Sequence, residues 1–108
     1  MADYPLTLAK RLRAGDTLYT LWSQIPSEVL IDHFGTSSFE AITLDMQHGG
    51  HNEQTIFDGL ATVIRRKKCA IVRVPVGRND MASRALDMGA EAIISPMINS
   101  VEDAPLIL

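Results

Sequence analysis

Four short apolar runs, each closed by turn-forming or charged residues, constrain this chain more than anything else in it. They cover residues 17–25, 39–46, 69–76 and 92–98. Each has the length of a strand, and the third is rich in Ile and Val, as in a sheet buried on both faces. Helical patterns fill the gaps. Pro26 suits a first helical turn, Val29, Leu30 and Phe34 then share a face, and Gly35 can end that helix. Asn52 is a good N-cap for a helix whose apolar face is Ile56, Leu60, Val63 and Ile64. Asn79 or Asp80 caps a shorter helix through Met81, Ala85 and Leu86, closed by Met88 and Gly89. Strands alternating with helices at a repeat of roughly 20–30 residues are βα units, and they imply a parallel sheet with right-handed crossovers.

The two ends extend that expectation. Leu6, Leu8 and Leu12 hint at a short helix in a polar lead over residues 1–16. Ser100, with Asp103 three positions on, resembles a helix start. Pro105 falls beyond a first turn, and residues 106–108 are bare apolar ones. The expectation is the front part of a larger α/β fold. A (β/α)₈ TIM barrel has about 250 residues, so four βα units are its first half, cut after the fourth strand. Residues 1–108 then form the amino-terminal half of one domain.

Composition narrows the function classes. At 108 residues and 46% hydrophobic, the chain has material for one modest core. A net charge of -3 argues against nucleic acid as a partner. The single basic run, Arg65-Arg66-Lys67-Lys68, is read as a helix carboxyl terminus, where cations complement the macrodipole. One cysteine, Cys69, excludes an internal disulfide and reads as a small buried hydrophobe. Neither a signal peptide nor a membrane span is apparent, so the expected compartment is the cytoplasm, with no membrane partner.

Chemistry concentrates where the second apolar run stops. Asp45, Gln47, His48, Gly49, Gly50 and His51 follow one another within seven positions. Polar groups at the carboxyl end of a parallel strand sit where such sheets bind ligands. One reading makes His48 a general base oriented by Asp45, and the other makes Asp45 a turn cap and His48 an exposed loop residue. His51 gives a possible His48-x-x-His51 metal pair without an evident third ligand, or is a loop residue near the helix start or a lesser participant in the site. Arg73 is a charge among apolar neighbours and demands an anion, either a structural carboxylate or a ligand oxygen. Trp22, near the end of the first strand, lines the same pocket or belongs to the core.

Four motifs carry a resemblance: Leu-Trp-Ser (21–23), Leu-Asp-Met-Gln-His-Gly (44–49), Val-Arg-Val-Pro (72–75) and Gly-Ala-Glu-Ala-Ile-Ile-Ser-Pro-Met (89–97). In order and spacing the chain resembles the HpcH/HpaI aldolase/citrate lyase family over nearly all of residues 6–104. The resemblance implies a TIM-barrel class II aldolase, a carbon–carbon lyase that assembles as a homo-oligomer, usually a hexamer. Such enzymes cleave 4-hydroxy-2-oxo acids to pyruvate or a close relative and an aldehyde, through a metal-bound enolate. By resemblance His48 is the catalytic base, Asp45 its carboxylate partner, and Arg73 the group that binds the 2-oxo oxygen. Trp22 lines the pocket, and Gln47 stands where many members have Glu. The divalent metal (Mg, Mn or Co) has family ligands on the fifth and sixth strands, beyond residue 108.

Three readings follow from these observations. The chain is part of a metal-dependent aldolase, or a non-catalytic half-barrel that self-associates through open sheet edges, or a complete flavodoxin-like domain binding an anion near Gly49-Gly50.

Overall fold

A computed structural model describes residues 8–104. Leu6, Pro105 and residues 106–108, which entered the reading of the two ends, lie outside the described residues. The chain runs α1 (Leu8–Arg13), β1 (Thr20–Ser23), α2 (Glu28–Phe34), β2 (Ala41–Asp45), α3 (Glu53–Arg65), β3 (Cys69–Arg73), α4 (Asn79–Asp87) and β4 (Ala92–Ile94). All strand pairs are parallel, in the order β1-β2-β3-β4. That order overturns the flavodoxin-like alternative, in which the chain doubles back across the sheet in the order 2-1-3-4-5. Crossovers that always step to the next strand in the same sense build a barrel wall, and the architecture is that of a half-barrel.

Side-chain alternation along each strand divides the sheet into two unlike faces. Ile42, Leu44, Ala70, Val72 and Val74 point to the helices and pack against Ile31 of α2, Ile56, Leu60 and Val63 of α3, and Met81, Ala82 and Ala85 of α4. On the other face Ala41 and Cys69, the first residues of β2 and β3, meet Leu8 of α1. The Leu8 N–H also donates to Glu91 Oε1 at 3.2 Å. The short α1 helix thus closes the amino ends of the inner face and leaves the carboxyl ends open. Cys69 is buried there, as its apolar context predicts.

The helix ends follow local chemistry, with two corrections. Asn52 caps α3, its side chain accepting from the Thr55 N–H while Thr55 Oγ1 accepts from the Asn52 N–H. At α2, however, Ser27 is the N-cap, accepting from the Leu30 N–H, so Pro26 precedes the helix rather than opening it. At α4 the capping position is Arg78, with no side-chain cap; Asp80 instead pairs with the Arg78 guanidinium. The basic run closes α3 as read, but through specific partners. Arg66 makes two 2.8 Å bonds to Asp32 of α2, and Lys68 Nζ donates to the carbonyls of Ser37 and Phe39. Gly35, at φ −66°, is needed for space: a Cβ there would lie 2.5 Å from Arg66 Cγ.

The strands are shorter than their apolar runs. Pro75 and Pro96 lack the N–H that a ladder needs, and Met97 adopts φ 61°. Ser100 and Asp103 do form the box-like arrangement. Ser100 Oγ accepts from the Asp103 N–H and Asp103 Oδ2 from the Asn99 N–H, around a turn rather than a helix within the described residues. No helix among the described residues is long and apolar enough to cross a membrane.

Candidate active site

The register of the sheet places Asp45 directly beside Arg73, at the carboxyl ends of β2 and β3. Both lie on the face opposite the helices, together with Trp22 of β1. Asp45 is 0% exposed and collects five donors. Its Oδ1 accepts from Arg73 Nε (3.1 Å) and from the backbone N–H groups of Gln47 (2.9 Å) and His48 (3.3 Å). Its Oδ2 accepts from Arg73 Nη2 (2.8 Å) and Trp22 Nε1 (3.1 Å). Burial pushes the Asp45 carboxyl up, but the bonds from Arg73, Trp22 and the two backbone groups outweigh it and hold the carboxyl well below the usual carboxylate range. It is a fixed anion at neutral pH.

Arg73 therefore meets the anion that its apolar setting demanded, and that anion is a structural carboxylate. The pairing is two-pronged, which orients the guanidinium plane. Arg73 Cζ lies 5.2 Å from the centre of the Trp22 ring, within cation–π range. Arg73 Nη1 bonds to nothing among the described residues, and the side chain keeps 21% exposure. Asp45 grips this cation from one side and the Trp22 indole braces it. Trp22, at 41% exposure, lines this mouth rather than filling the core.

Asp45 and His48 are brought together differently from the acid–base pair read from the sequence. The carboxylate takes the His48 backbone N–H, and both of its oxygens are occupied by other donors. The exposed His48 ring has no hydrogen bond among the described residues. Asp45 thus shapes the loop that carries His48 instead of fixing its tautomer. The loop lies close against its neighbours: a Cβ on Gly49 would fall 2.5 Å from the Asp45 carbonyl oxygen and 3.0 Å from Gln24 Cα, so only glycine fits. The Gly50 N–H donates to the Gln24 carbonyl at 2.8 Å. Gln47 Oε1 is buried without a partner among the described residues.

His51 is not half of a metal pair. It is buried, with Nε2 3.0 Å from Ser23 Oγ and Nδ1 3.1 Å from Thr55 Oγ1. Thr55 does not stand out in the sequence and Ser23 does so only within the 21–23 motif, because nothing local marks either as the partner of a histidine. Among the described residues no three His, Cys, Asp or Glu side chains group as metal ligands. With Asp45 saturated and His51 engaged, the residues at this mouth do not fit a divalent metal.

No family model matches the chain. It is 30% identical over 98 residues to the hydroxypyruvate/pyruvate aldolase of Roseobacter denitrificans, covering 91% of this chain and 38% of that protein. Among solved structures it is similar to the citrate synthase SbnG, at TM-score 0.86 and 28% identity, covering 94% of this chain and 42% of that one. A second is an HpcH/HpaI aldolase/citrate lyase family protein from Burkholderia cenocepacia J2315, at TM-score 0.83 and 27% identity, with 91% and 39% covered. The chain spans about two fifths of the length of the relatives it matches. By sequence and by fold, it is related to the amino-terminal part of proteins of the HpcH/HpaI aldolase/citrate lyase family.

Proposed function

We propose that residues 1–108 are the amino-terminal half of a class II aldolase domain, a carbon–carbon lyase acting on 4-hydroxy-2-oxo acids. The observation that carries this reading is the Arg73 guanidinium, held against Trp22 by Asp45, the carboxylate that also takes the His48 backbone N–H. In cleavage, His48 takes the proton of the C4 hydroxyl. The C3–C4 bond breaks, the aldehyde leaves, and its electron pair passes into the enolate of the 2-oxo acid. Arg73 donates to the 2-oxo oxygen as negative charge grows on it, from a position fixed before the reaction, which is where such donors are most effective. Trp22 walls the pocket. Gln47, whose Oε1 has no partner among the described residues, is the further substrate contact of this reading. A reacting enolate in this class calls for a divalent cation (Mg, Mn or Co), and its ligands are expected beyond residue 108.

The test adds pyruvate to the 108-residue protein, with and without Mn²⁺ or Co²⁺, and reads by NMR the Trp22 indole N–H in H₂O and, separately, loss of the methyl proton signal in D₂O. Expected are a shift of the indole signal on adding pyruvate, lost in Arg73→Ala, and methyl exchange lost in His48→Ala. An indole signal that ignores pyruvate, or responds equally in Arg73→Ala, sinks this reading of the site; absent exchange alone marks the half-barrel as inactive without the metal ligands expected beyond residue 108.

A second reading rests on the exposed apolar side chains Ile94, Met97 and Ile98 at and beyond the open β4 edge. A half-barrel module with such an edge associates with itself or another chain, as the hexamer implied by resemblance would also require. Sedimentation decides it: a monomer at all concentrations removes self-association.

A further inference from the structure

The loop between β2 and α3 is pinned at two points. At its start, Asp45 gathers the Gln47 and His48 N–H groups. At its end stands a buried polar bridge that the aldolase reading does not use. His51 spans from Ser23, the last residue of β1, to Thr55 in the first turn of α3. Ser23 is itself buried, so it is no accessible nucleophile, and its hydroxyl also reaches the Ile25 carbonyl at 3.3 Å. Thr55 Oγ1 donates to the Asn52 carbonyl and accepts from the Asn52 N–H. Between the two pins, Gly50 bonds to Gln24 and Gly49 rests against the Gln24 backbone.

We propose that His51 is a positioning residue for the candidate site: its ring ties the β1 exit to the α3 start and thereby fixes the backbone that carries His48. This inference rests on the reading of His48 as the base. The chemistry suits the task. The Thr55 hydroxyl gives its proton to the Asn52 carbonyl, so Nδ1 carries the ring proton and donates to Thr55 Oγ1, while Nε2 accepts from the Ser23 hydroxyl. Burial lowers the His51 pKa, against the Asp45 charge, which raises it, so the ring is neutral at pH 7. A neutral, doubly bonded imidazole is a stiff planar strut. An apolar side chain at this place would leave Ser23 and Thr55 without this partner. The loop would then be tied to β1's exit by the Gly50 bond to Gln24, with no side chain joining Ser23 to α3.

The test uses no substrate, so its failure is separate from failure of the aldolase reading. Ser23→Ala removes one of the two ring bonds, together with the Ile25 contact, His51→Ala removes both ring bonds, and His51→Gln restores an amide in place of the ring. Amide hydrogen exchange is read at Gln47, His48 and Gly50 and compared with Ile42, Leu44 and Val72, alongside the ring signals of His48 in NMR spectra. Exchange at Gly50 is expected to quicken about tenfold in Ser23→Ala, the scale of one lost hydrogen bond, and further in His51→Ala. The His48 ring signals broaden or split, core amides hold, and His51→Gln recovers most of the protection. Unchanged loop exchange in Ser23→Ala and His51→Ala overturns the proposal. So does a uniform loss at loop and core alike, which would make His51 a packing residue only.

Discussion

The two faces of the sheet are built from the same four strands and could hardly differ more. Toward the helices, Ile42, Leu44, Ala70 and Val72 meet an all-apolar layer from α2, α3 and α4. On the other face the same strands present Thr20 bonded to Thr43, then Asp45 bonded to Arg73 and Trp22. One face is held by burial, which is additive and forgiving of chemistry. The other is held by directional bonds around a buried charge, which tolerate little. The contrast teaches where stability and function reside: a substitution on the helix side should change how well the chain folds, and one at the mouth should change what it does. Each variant below tests that division.

The largest stability effect belongs to the helix side. Leu60 is fully buried, between the sheet and the neighbouring helices. Leu60→Ala is expected to cost about 2–5 kcal/mol in urea unfolding, a large share of a small domain's stability. A cost below about 1 kcal/mol would mean that this layer is not the core. At the mouth, Asp45 gives a pH signature instead. Its carboxyl titrates lower in the folded chain than in the unfolded one, so the unfolded state binds the extra proton first. Stability from this group is fully present above about pH 4 and is lost as pH falls further, through the folded value. Asp45→Asn should lose this part of the acid dependence and also the pyruvate-induced shift at Trp22. If its acid unfolding matches the parent's, the Asp45–Arg73 pair contributes nothing to folding.

Gly49→Ala should act on a smaller scale. The new methyl would meet the backbone at Asp45 and Gln24, neither of which can move cheaply. A cost of about 1–3 kcal/mol is expected, as for other overpacked sites, with hydrogen exchange quickened first at Gly50. Exchange that instead quickens uniformly would blur the line between mouth and core.

The same division explains what could be read from the sequence. Apolar periodicity is local, so the four strands, the helices between them and the Asn52 cap were all legible. Strand ends were not, because Val76 and Ile98 continue the apolar composition after Pro75 and Pro96 have interrupted the ladder. Arg73 announced itself as a charge in an apolar strand. Its partner did not, since the Asp45–Arg73 contact depends on a register between strands 28 residues apart. His51 was harder still. Its nearness to His48 in the chain suggested a shared metal, whereas its ring turns away to Ser23, again 28 residues distant.

The smallest expected effect lies where the two kinds of bonding meet. The Asn52 side chain accepts the Thr55 N–H, and Thr55 also holds His51. Asn52→Ala should cost about 1 kcal/mol, the worth of an N-cap. The backbone bonds of Thr55 Oγ1 to residue 52 do not need the Asn side chain, so the His51 bridge should survive. Protection at Gly50 should then fall no more than that of the α3 amides. If Gly50 opens selectively, the cap and the bridge are one unit, and the boundary of the functional face moves outward to include the first turn of α3. If stability falls and the mouth is untouched, the helix belongs to the supporting face from its first residue.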